Sequence, residues 1–370
     1  MKFSCEKALL VSAISVASRT VAQKSAITAL EGIYLRVGVK VMLTGYNLET
    51  GVTVSLDADI RETGAAIVPA RLFFDIIRKL PDETVQISID DSYKVSICAG
   101  ISSFSITAMS ADDYPELPDV DSDKAIRLPQ KELKNLISGI IFAVSENQAR
   151  PVHTGCLFEV SDEGITSVAV DGYRMALRRW IAAEPIGRTL KFVAPAAALR
   201  EAEKILDDSD ELCAFYPGSK HILFEIGDAT LICRLLEGEF LDWRRVLPQN
   251  NPICLKTNVS RITDSVERVG LIISEKLKSP VRCVFGSNSA DFRTLSTIGE
   301  AHDVCSMDGD GKDLEIGFNC RYLLDALRAV PDEECLLELS NGLSPIVLNP
   351  VDESGRYSYM VLPVRLKAGE

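Results

Sequence analysis

Apolar residues recur every three to four positions in the stretch PARLFFDIIRKLPDE, which begins at Pro69. The apolar stripe consists of Leu72, Phe73, Ile76, Ile77 and Leu80. The opposite face carries Arg71, Asp75 and Arg78. Because this spacing matches 3.6 residues per turn, it predicts an amphipathic helix over residues 69–80. Proline at the start and Leu-Pro at the end are typical of helix termini.

The same pattern returns twice without gaps, as PAAALREAEKILDDS from Pro195 and NCRYLLDALRAVPDE from Asn319. The starts of the three copies lie 126 and 124 residues apart. The third copy repeats the polar face of the first with Arg321, Asp325 and Arg328. The second copy has Ala197, Glu201 and Lys204 there and so loses its first basic position. A fixed period of this length indicates a repeated structural unit.

A second set of helices is predicted over residues 5–18, 129–145 and 258–274, next to those over 69–80, 195–206 and 319–330. Its middle member turns inward Leu133, Leu136, Ile137, Ile140 and Ile141. It leaves outward Lys131, Lys134, Asn135 and Ser138. Each repeat therefore holds two amphipathic helices.

Between the helices, apolar and polar residues alternate, as in TVQISID, ELCAFY, HILFEIG and CLLELS. This period of two predicts strands joined by turns containing glycine and aspartate. Each unit of about 125 residues is expected to contain two helices and roughly eight short strands. The predicted fold class is α+β, with three repeated domains of helices packed on antiparallel sheets: residues 1–122, 123–250 and 251–370.

Charge is divided between these elements. The net charge of the 370 residues is -13, which taken alone argues against a nucleic-acid-binding protein. The six predicted helices, however, are slightly positive, so the acidic residues lie mostly elsewhere. Three copies of one domain can simply make a larger scaffold, but basic faces recurring at fixed places favour a more specific role.

The chemistry of an enzyme or a metal site is not indicated. The three histidines occur in unlike contexts, and the sequence contains no nucleophile elbow, phosphate-binding loop or GxGxxG motif. The acidic stretches DDSDEL and DGDGKD lack the spacing of a calcium loop. Ten scattered cysteines favour reduced thiols over zinc sites or a disulfide framework. We therefore predict no catalytic residues, metal or cofactor.

The N-terminus MKFSCEKALL lacks the long apolar region of a secretory signal, and no stretch reaches eighteen apolar residues. The sequence thus predicts a cytoplasmic protein without a membrane partner. A scaffold that binds only proteins remains the main alternative to a DNA-binding function.

Six segments in order, with the threefold repeat, resemble the bacterial DNA polymerase III sliding clamp family, the beta subunits. They are VPARLFFDIIRKLP, ARPVHTGCLFEV, VDGYRMAL, EGEFLDWRRVLP, EIGFNCRYLLDAL and MVLPVRL. The resemblance implies a non-catalytic processivity factor with the DNA clamp fold. It implies a head-to-tail homodimer, a ring of six domains whose twelve helices line a hole around duplex DNA, held without sequence specificity. The implied protein partners are the polymerase III catalytic subunit, the clamp loader, other polymerases and repair proteins.

The basic helix faces are then expected to meet phosphates inside the ring, which carry no sequence information. Candidates from the helices are Arg71, Arg78, Lys131, Lys134, Lys204, Arg261, Arg268, Arg321 and Arg328. The resemblance adds Lys24, Asn147 and Arg150 from loops. Each cation alone can equally be an ordinary solvated helix residue. The sequence departs from the family where Ala196 and Ala197 replace residues that are commonly basic, and where AITAL follows Ser25.

The resemblance also implies a hydrophobic pocket that accepts the peptide tails of partners. Its residues are Val170, Gly172, Tyr173, Arg174, Met175, Leu241, Val246, Asn319, Tyr322, Met360, Val361, Leu362, Pro363, Val364, Arg365 and Leu366. Tyr173 and Arg174 are expected on the rim, with methionines as an adaptable floor. The alternative is a plain hairpin turn at Asp171 and Gly172, with Met175 in the core. His153, Leu241 and Val170 depart from the residues that the family usually has.

Ring closure is expected to involve Phe104 on one side and Ile272 with Ile273 on the other. An edge strand of the first domain is expected to pair with one from the partner's third domain. A core position for all three side chains is an equally good interpretation of the sequence.

Overall fold

The structure is a computed structural model that describes residues 1–81, 84–120, 124–273 and 279–366. Its contacts divide the chain into two compact units. The first comprises Met1–Leu133 with Ala197–Leu235, and the second comprises Lys134–Ala196 with Leu236–Glu370. The predicted boundary at residues 122 and 123 falls outside the described residues. The division into three domains therefore stays a prediction.

All six predicted helices are present. Within the described residues the α-helices are α1 Lys7–Ala17, α2 Ala70–Lys79, α3 Gln130–Ser138, α4 Ala196–Ile205, α5 Val259–Gly270 and α6 Cys320–Arg328. Helices α2 and α6 end just before Leu80 and Val330, the residues that precede the two prolines, because proline disfavours helical geometry in the residue before it.

Two helices are shorter than predicted. Helix α3 stops at Ser138 rather than at residue 145 and tightens into a 3-10 turn, Ile141–Ala143. The helix ends immediately before Gly139, a residue of low helix propensity. Helix α5 stops at Gly270, so Ile272 and Ile273 lie beyond its end. The predicted last residue of α5, Ser274, lies outside the described residues.

The strands were predicted from the alternating segments. Those in the first third of the chain are β1 Lys2–Glu6, β2 Gly32–Val37, β3 Val41–Tyr46, β4 Thr50–Leu56, β5 Asp59–Glu62, β6 Gly64–Pro69, β7 Thr84–Ile89, β8 Lys94–Ala99, β9 Ser102–Thr107 and β10 Met109–Ser110. The middle third contains β11 Ile126–Pro129, β12 Gly155–Ser161, β13 Gly164–Val170, β14 Arg174–Ile181, β15 Leu190–Pro195, β16 Leu212–Pro217, β17 His221–Ile226 and β18 Ala229–Arg234. The last third contains β19 Ile253–Asn258, β20 Val281–Ser296, β21 Gly299–Phe318, β22 Glu334–Leu339, β23 Ile346–Pro350 and β24 Tyr357–Val361.

The expectation of short strands is wrong for the third repeat. Strands β20 and β21 are 16 and 20 residues long and form one hairpin that turns at residues 297 and 298. The register of this hairpin is irregular between Phe285 and Ser289. Such irregularities bend a strand without ending it.

The repeat is visible in the local structure, since each helix follows a strand after at most one intervening residue. In the third repeat the linking residue is an asparagine that caps the helix. The side chain of Asn258 accepts a hydrogen bond from the Arg261 amide at 3.0 Å, and that of Asn319 accepts one from the Tyr322 amide at 3.2 Å. Such caps satisfy amides that have no partner in the first helical turn.

Three antiparallel sheets carry the helices, in agreement with the predicted fold class. The first unit contains a five-stranded sheet, β5-β1-β7-β8-β9, and a nine-stranded sheet, β10-β6-β2-β3-β4-β18-β17-β16-β11. The second unit contains a ten-stranded sheet, β15-β12-β13-β14-β24-β23-β22-β19-β21-β20. The pairs β4–β18 and β14–β24 join strands from different predicted domains, so each large sheet is continuous across two repeats. No helix among the described residues is both long and apolar enough to cross a bilayer.

Candidate functional site

The stretch VDGYRMAL forms the tight turn between β13 and β14. The Asp171 carboxylate accepts hydrogen bonds from the amides of Tyr173 and Arg174 at 2.8 and 3.0 Å. Gly172 has a φ of 93°, a backbone conformation that residues with a side chain rarely adopt. The structure therefore agrees with the interpretation of Asp171 and Gly172 as part of a hairpin turn. The turn leaves Tyr173 61% exposed above the sheet.

Arg174 does not lie on the rim where it was expected. Its side chain is 6% exposed, and its guanidinium donates to Asp171 at 2.9 Å and to Asp325 of α6 at 2.5 Å. The guanidinium carbon also lies 4.4 Å from the ring centroid of Tyr322. A charge removed from water needs such partners, and so this arginine turns beneath the bend instead of outward.

An apolar cluster packs on strands β13 and β14, which flank the bend. Its buried members are Leu157, Val168, Val170, Met175, Leu177, Val193, Phe240, Trp243, Val347 and Met360. Half-buried Val152, Leu236, Val246 and Leu247 pack against it. The cluster thus unites Val170, Met175, Val246 and Met360 of the predicted pocket. Met175 is fully buried, in agreement with the alternative that places it in the core.

Three exposed apolar side chains follow closely in sequence after members of this cluster. Leu241 is 38% exposed, and Leu362 and Val364 of the C-terminal segment are similarly open. The Leu362 amide donates to the carbonyl of Tyr173 at 2.8 Å, which fixes the segment beside the bend. Val361, which precedes Leu362, is buried opposite Arg174 in the pair β14–β24.

The C-terminal segment also contacts the end of β21, shortly before α6. The Val364 amide donates to the carbonyl of Gly317 at 2.8 Å. A Cβ atom at Gly317 would lie 2.6 Å from a methyl carbon of Leu366, so a larger residue there would require the Leu366 side chain to move. Pro363 and Arg365 lie between these contacts, half-buried and exposed respectively.

Tyr322 joins α6 to the bend. Its ring stacks on that of Tyr173 with centroids 5.9 Å apart, at an interplanar angle of 26°. Burial and the nearby carboxylate of Asp171 raise the pKa of Tyr322, so its hydroxyl stays protonated at neutral pH. Asn319 sits one turn earlier as the cap of the helix, and its amide therefore serves the helix start.

Sequence reasoning missed several residues of the groove, above all Phe240 and Trp243. The indole of Trp243 donates to Glu159 at 3.2 Å, and the Arg244 guanidinium lies 4.1 Å from the ring centroid. These contacts fix the 3-10 turn Trp243–Arg245 that separates Leu241 from Val246. Two aromatic residues within EGEFLDWRRVLP were the available signal, because aromatics this close to a predicted pocket usually belong to its wall.

The predicted DNA contacts fall into two groups. The first group already has carboxylate partners. The ion pairs are Arg78–Asp75 at 3.3 Å, Lys131–Asp210 at 2.6 Å, Lys204–Glu201 at 2.8 Å, Arg328–Glu267 at 2.7 Å and Arg321–Asp325 at 3.8 Å, together with Arg268–Asp303. The hydrogen bond to Asp210 raises the pKa of Lys131. In these pairs a phosphate must compete with a carboxylate.

The second group has no carboxylate partner among the described residues. It comprises Lys24, Arg71, Lys134, Arg150 and Arg261. Lys24 lines an open cavity of about 620 Å³ with Gln23, Asn47 and Glu49. Asn147 is exposed and its side chain accepts the Ala149 amide at 2.9 Å, which shapes the loop before Arg150.

Of the residues expected at the ring closure, Phe104 lies on a strand at the edge of a sheet, and the two isoleucines follow a helix. Phe104 is 42% exposed on β9, the last strand of the five-stranded sheet. Ile272 and Ile273 are half-buried just after α5. Strand β20, from the same repeat as these isoleucines, is the last strand of the ten-stranded sheet. Phe104 is thus not a core residue of the single chain.

Within the described part of the chain, no group of three or more histidine, cysteine or acidic side chains could hold a metal ion. Burial raises the pKa of several thiols, among them Cys5 and Cys213, to about 11. These cysteines are therefore protonated and poor ligands or nucleophiles at neutral pH.

Family models and known relatives match the chain over almost its whole length. Three models of the DNA polymerase III beta subunit match in order: its N-terminal domain over residues 1–118, its central domain over 127–242 and its C-terminal domain over 244–365. The beta sliding clamp of Staphylococcus epidermidis is 31% identical over 376 residues, with 99% of each chain covered. The chain belongs to the DNA polymerase III beta subunit family. These sliding clamps are processivity factors without catalytic activity of their own.

Solved clamp structures have the same fold. The clamp of Bacillus subtilis is 28% identical, with a TM-score of 0.95 over 99% of this chain and 100% of that one. A clamp of Pseudomonas aeruginosa bound to griselimycin is 26% identical, with a TM-score of 0.93 over the same shares. The family resemblance predicted from six segments is therefore confirmed.

Proposed function

We propose that this member of the sliding clamp family takes the peptide tails of its partners in the groove beside the 171–173 bend. The clamp acts as a homodimeric ring that encircles duplex DNA without sequence specificity and tethers the replicative polymerase, the clamp loader and other partners. The apolar cluster on the two strands that flank the bend, with exposed Leu241 and Leu362 adjoining its members in sequence, supports this location of the groove.

The groove has the features of an anchor site for short peptides. Met175 and Met360 give it a floor of flexible, polarisable side chains that adapt to different partner residues. Aromatic rings surround this floor, and interface residues that contribute most to affinity are enriched in such surroundings. A clamp of Pseudomonas aeruginosa binds griselimycin, and we propose this compound as a probe of the groove in this chain.

The helix faces are proposed to hold DNA through phosphates alone. We expect the second group, Lys24, Arg71, Lys134, Arg150 and Arg261, to make the stronger contacts, because none of them pairs with a carboxylate in the described part of the chain. A cation that already pairs with a carboxylate of the protein gains less free energy from contact with a phosphate. An acidic remainder of the surface keeps the protein away from other polyanions.

Topology tests the proposed function against a scaffold that binds only proteins. The clamp is loaded onto nicked circular DNA and washed at high salt, and the circle is then cut by a restriction enzyme. A closed ring stays on the circle at high salt and slides off the linear form. Release by salt from circular and linear DNA alike would exclude an encircling ring.

The dimer is proposed to close through Phe104 of one chain against Ile272 and Ile273 of the other, with β9 pairing to β20. Both strands end their sheets and leave backbone groups open for pairing. Replacing both isoleucines by aspartate is expected to give monomers in sedimentation, and a retained dimer would remove them from the interface. We also propose the division into domains at residues 122 and 250, and a location in the cytoplasm.

A further inference from the structure

Asp325 was predicted on the outward face of α6 together with Arg321 and Arg328, yet its carboxylate reaches the peptide groove. One of its oxygens accepts from the Arg174 guanidinium at 2.5 Å, and its side chain is only 22% exposed. The same oxygen lies 3.8 Å from Nε of Arg321. Asp325 is thus shared between the groove and the predicted DNA face of its helix.

Arg174 transmits this contact to the bend. Its Nε donates to one oxygen of Asp171 at 2.9 Å, while the other oxygen of Asp171 accepts the amides of Tyr173 and Arg174. The Arg174 guanidinium therefore bonds to two carboxylates, one on the bend and one on α6. The planar fork of a guanidinium can serve both at fixed angles, which a lysine ammonium cannot.

The aromatic rings depend on the same arginine. Its guanidinium carbon lies 4.4 Å from the centroid of Tyr322 and 5.4 Å from that of Phe142, and Tyr322 in turn stacks on Tyr173. Tyr173 is the most exposed aromatic of the groove and supplies the carbonyl that holds Leu362. Moving Arg174 therefore moves the wall of the groove and the attachment of its C-terminal side.

We propose that Asp325 is a positioning residue of the peptide groove: by holding Arg174 it fixes the 171–173 bend and its tyrosine stack in the shape that binds a partner peptide. This inference rests on the proposed peptide-binding function. Asp325 touches no ligand itself, and its effect on affinity passes entirely through Arg174.

Calorimetry of griselimycin binding to the full-length clamp tests the proposal. Asp325→Asn keeps the size of the side chain and removes its charge, and we expect a Kd about tenfold weaker, since one charged hydrogen bond is lost. Asp325→Glu restores the carboxylate and is expected to recover most of the affinity. The matched control is Asp264→Asn, an exposed aspartate of α5, which is expected to leave the Kd unchanged.

A double-mutant cycle separates positioning from general stability. In an Arg174→Ala background, Asp325→Asn is expected to cause no further loss of affinity, because the contact has already been removed. Equal losses in both backgrounds, or wild-type affinity of Asp325→Asn, would overturn the proposal. If Asp325→Asn does not fold, Arg174→Lys tests the proposal instead. Wild-type affinity of that variant for griselimycin would contradict the role given to the Arg174 guanidinium.

The controls also separate this inference from the function on which it rests. A wild-type clamp that does not bind griselimycin would contradict the proposed groove. If the wild-type clamp and Asp325→Asn bind griselimycin equally tightly, only the role of Asp325 is contradicted.

Discussion

The peptide groove and the basic helix faces hold their functional side chains in opposite ways. In the groove, Arg174 is 6% exposed and clamped by two carboxylates, and the methionine floor is buried. On α6, Arg321 is 75% exposed and loosely paired at 3.8 Å. A preorganised site loses little entropy on binding and can select a ligand, whereas mobile surface charges suit a partner that must slide.

The two regions also differ in how much one residue matters. Apolar contacts at a groove centre are concentrated in a few side chains, so a single change there is expected to be costly. Phosphate contacts are many, similar and screened by salt, so each one contributes little. The predictions below test this contrast, in order of decreasing effect.

Deletion of the chain from Leu362 onward is expected to abolish griselimycin binding, with a Kd at least about 100-fold weaker. The deletion removes one side of the groove and the backbone hydrogen bond to Tyr173. Calorimetry gives the affinity, and sedimentation is expected to show an intact dimer. Near-normal affinity in this variant would place the binding site elsewhere.

Leu241→Ala is expected to weaken griselimycin binding about tenfold. Burying a leucine side chain contributes about 1.5–3 kcal/mol, of which alanine retains a part. Leu343→Ala is the control, because Leu343 is a more exposed leucine of the same unit and is not among the predicted pocket residues. Equal effects of the two substitutions would mean that Leu241 is not part of the groove.

Arg71→Ala is expected to reduce retention on circular DNA more than Arg78→Ala, by a few-fold in lifetime. Both arginines are exposed on α2, but only Arg78 is paired with Asp75. Loss of one phosphate contact is expected to lower the slope of log K against log salt by about 0.9. Equal slopes for the two variants would show that internal pairing does not weaken a DNA contact.

Acidification is expected to have the smallest effect, through His153. Its ring meets Phe240 edge-on at 5.4 Å, and burial, with the charge of Arg150, lowers the pKa of this histidine. A histidine with a lowered folded pKa binds its proton less readily than in the unfolded chain, so stability is lost as pH falls below the ordinary value near 6.5. As the pH falls from 7.5 to 5.5, thermal melts are expected to show lower stability. Griselimycin titrations over the same range are expected to show binding weakened about twofold in Kd. His153→Gln is expected to flatten the profile, and an unchanged slope in that variant would assign the decline to other groups.

Much of the fold followed from local pattern. Helices α2 and α6 were predicted from their apolar stripes and ended where proline required, because both signals act within one or two turns. The amphipathic pattern continued past Gly139, so the end of α3 was missed. The long hairpin β20–β21 was not predicted either, because short strands were expected in every unit and the partner of a strand is set by tertiary structure.

The candidate site was predicted less completely than the fold. Membership of Tyr173, Met175 and the C-terminal segment followed from the family resemblance, and the structure brings them together. The burial of Arg174 and the turn of Asp325 toward it were not predictable, because a helix pattern gives the face of a residue but not its partner on another element.

The sequence by itself determined the repeated units, the six helices and the segregation of charge, all of which depend on residues close together in the chain. Only the tertiary structure decided that β14 pairs with β24, which sets the C-terminal segment beside a bend almost 190 residues earlier. It likewise decided which cations are paired with carboxylates and which remain open. The physical reason is that burial and ion pairing depend on contacts between distant segments, and those contacts are set by the packing of the sheets.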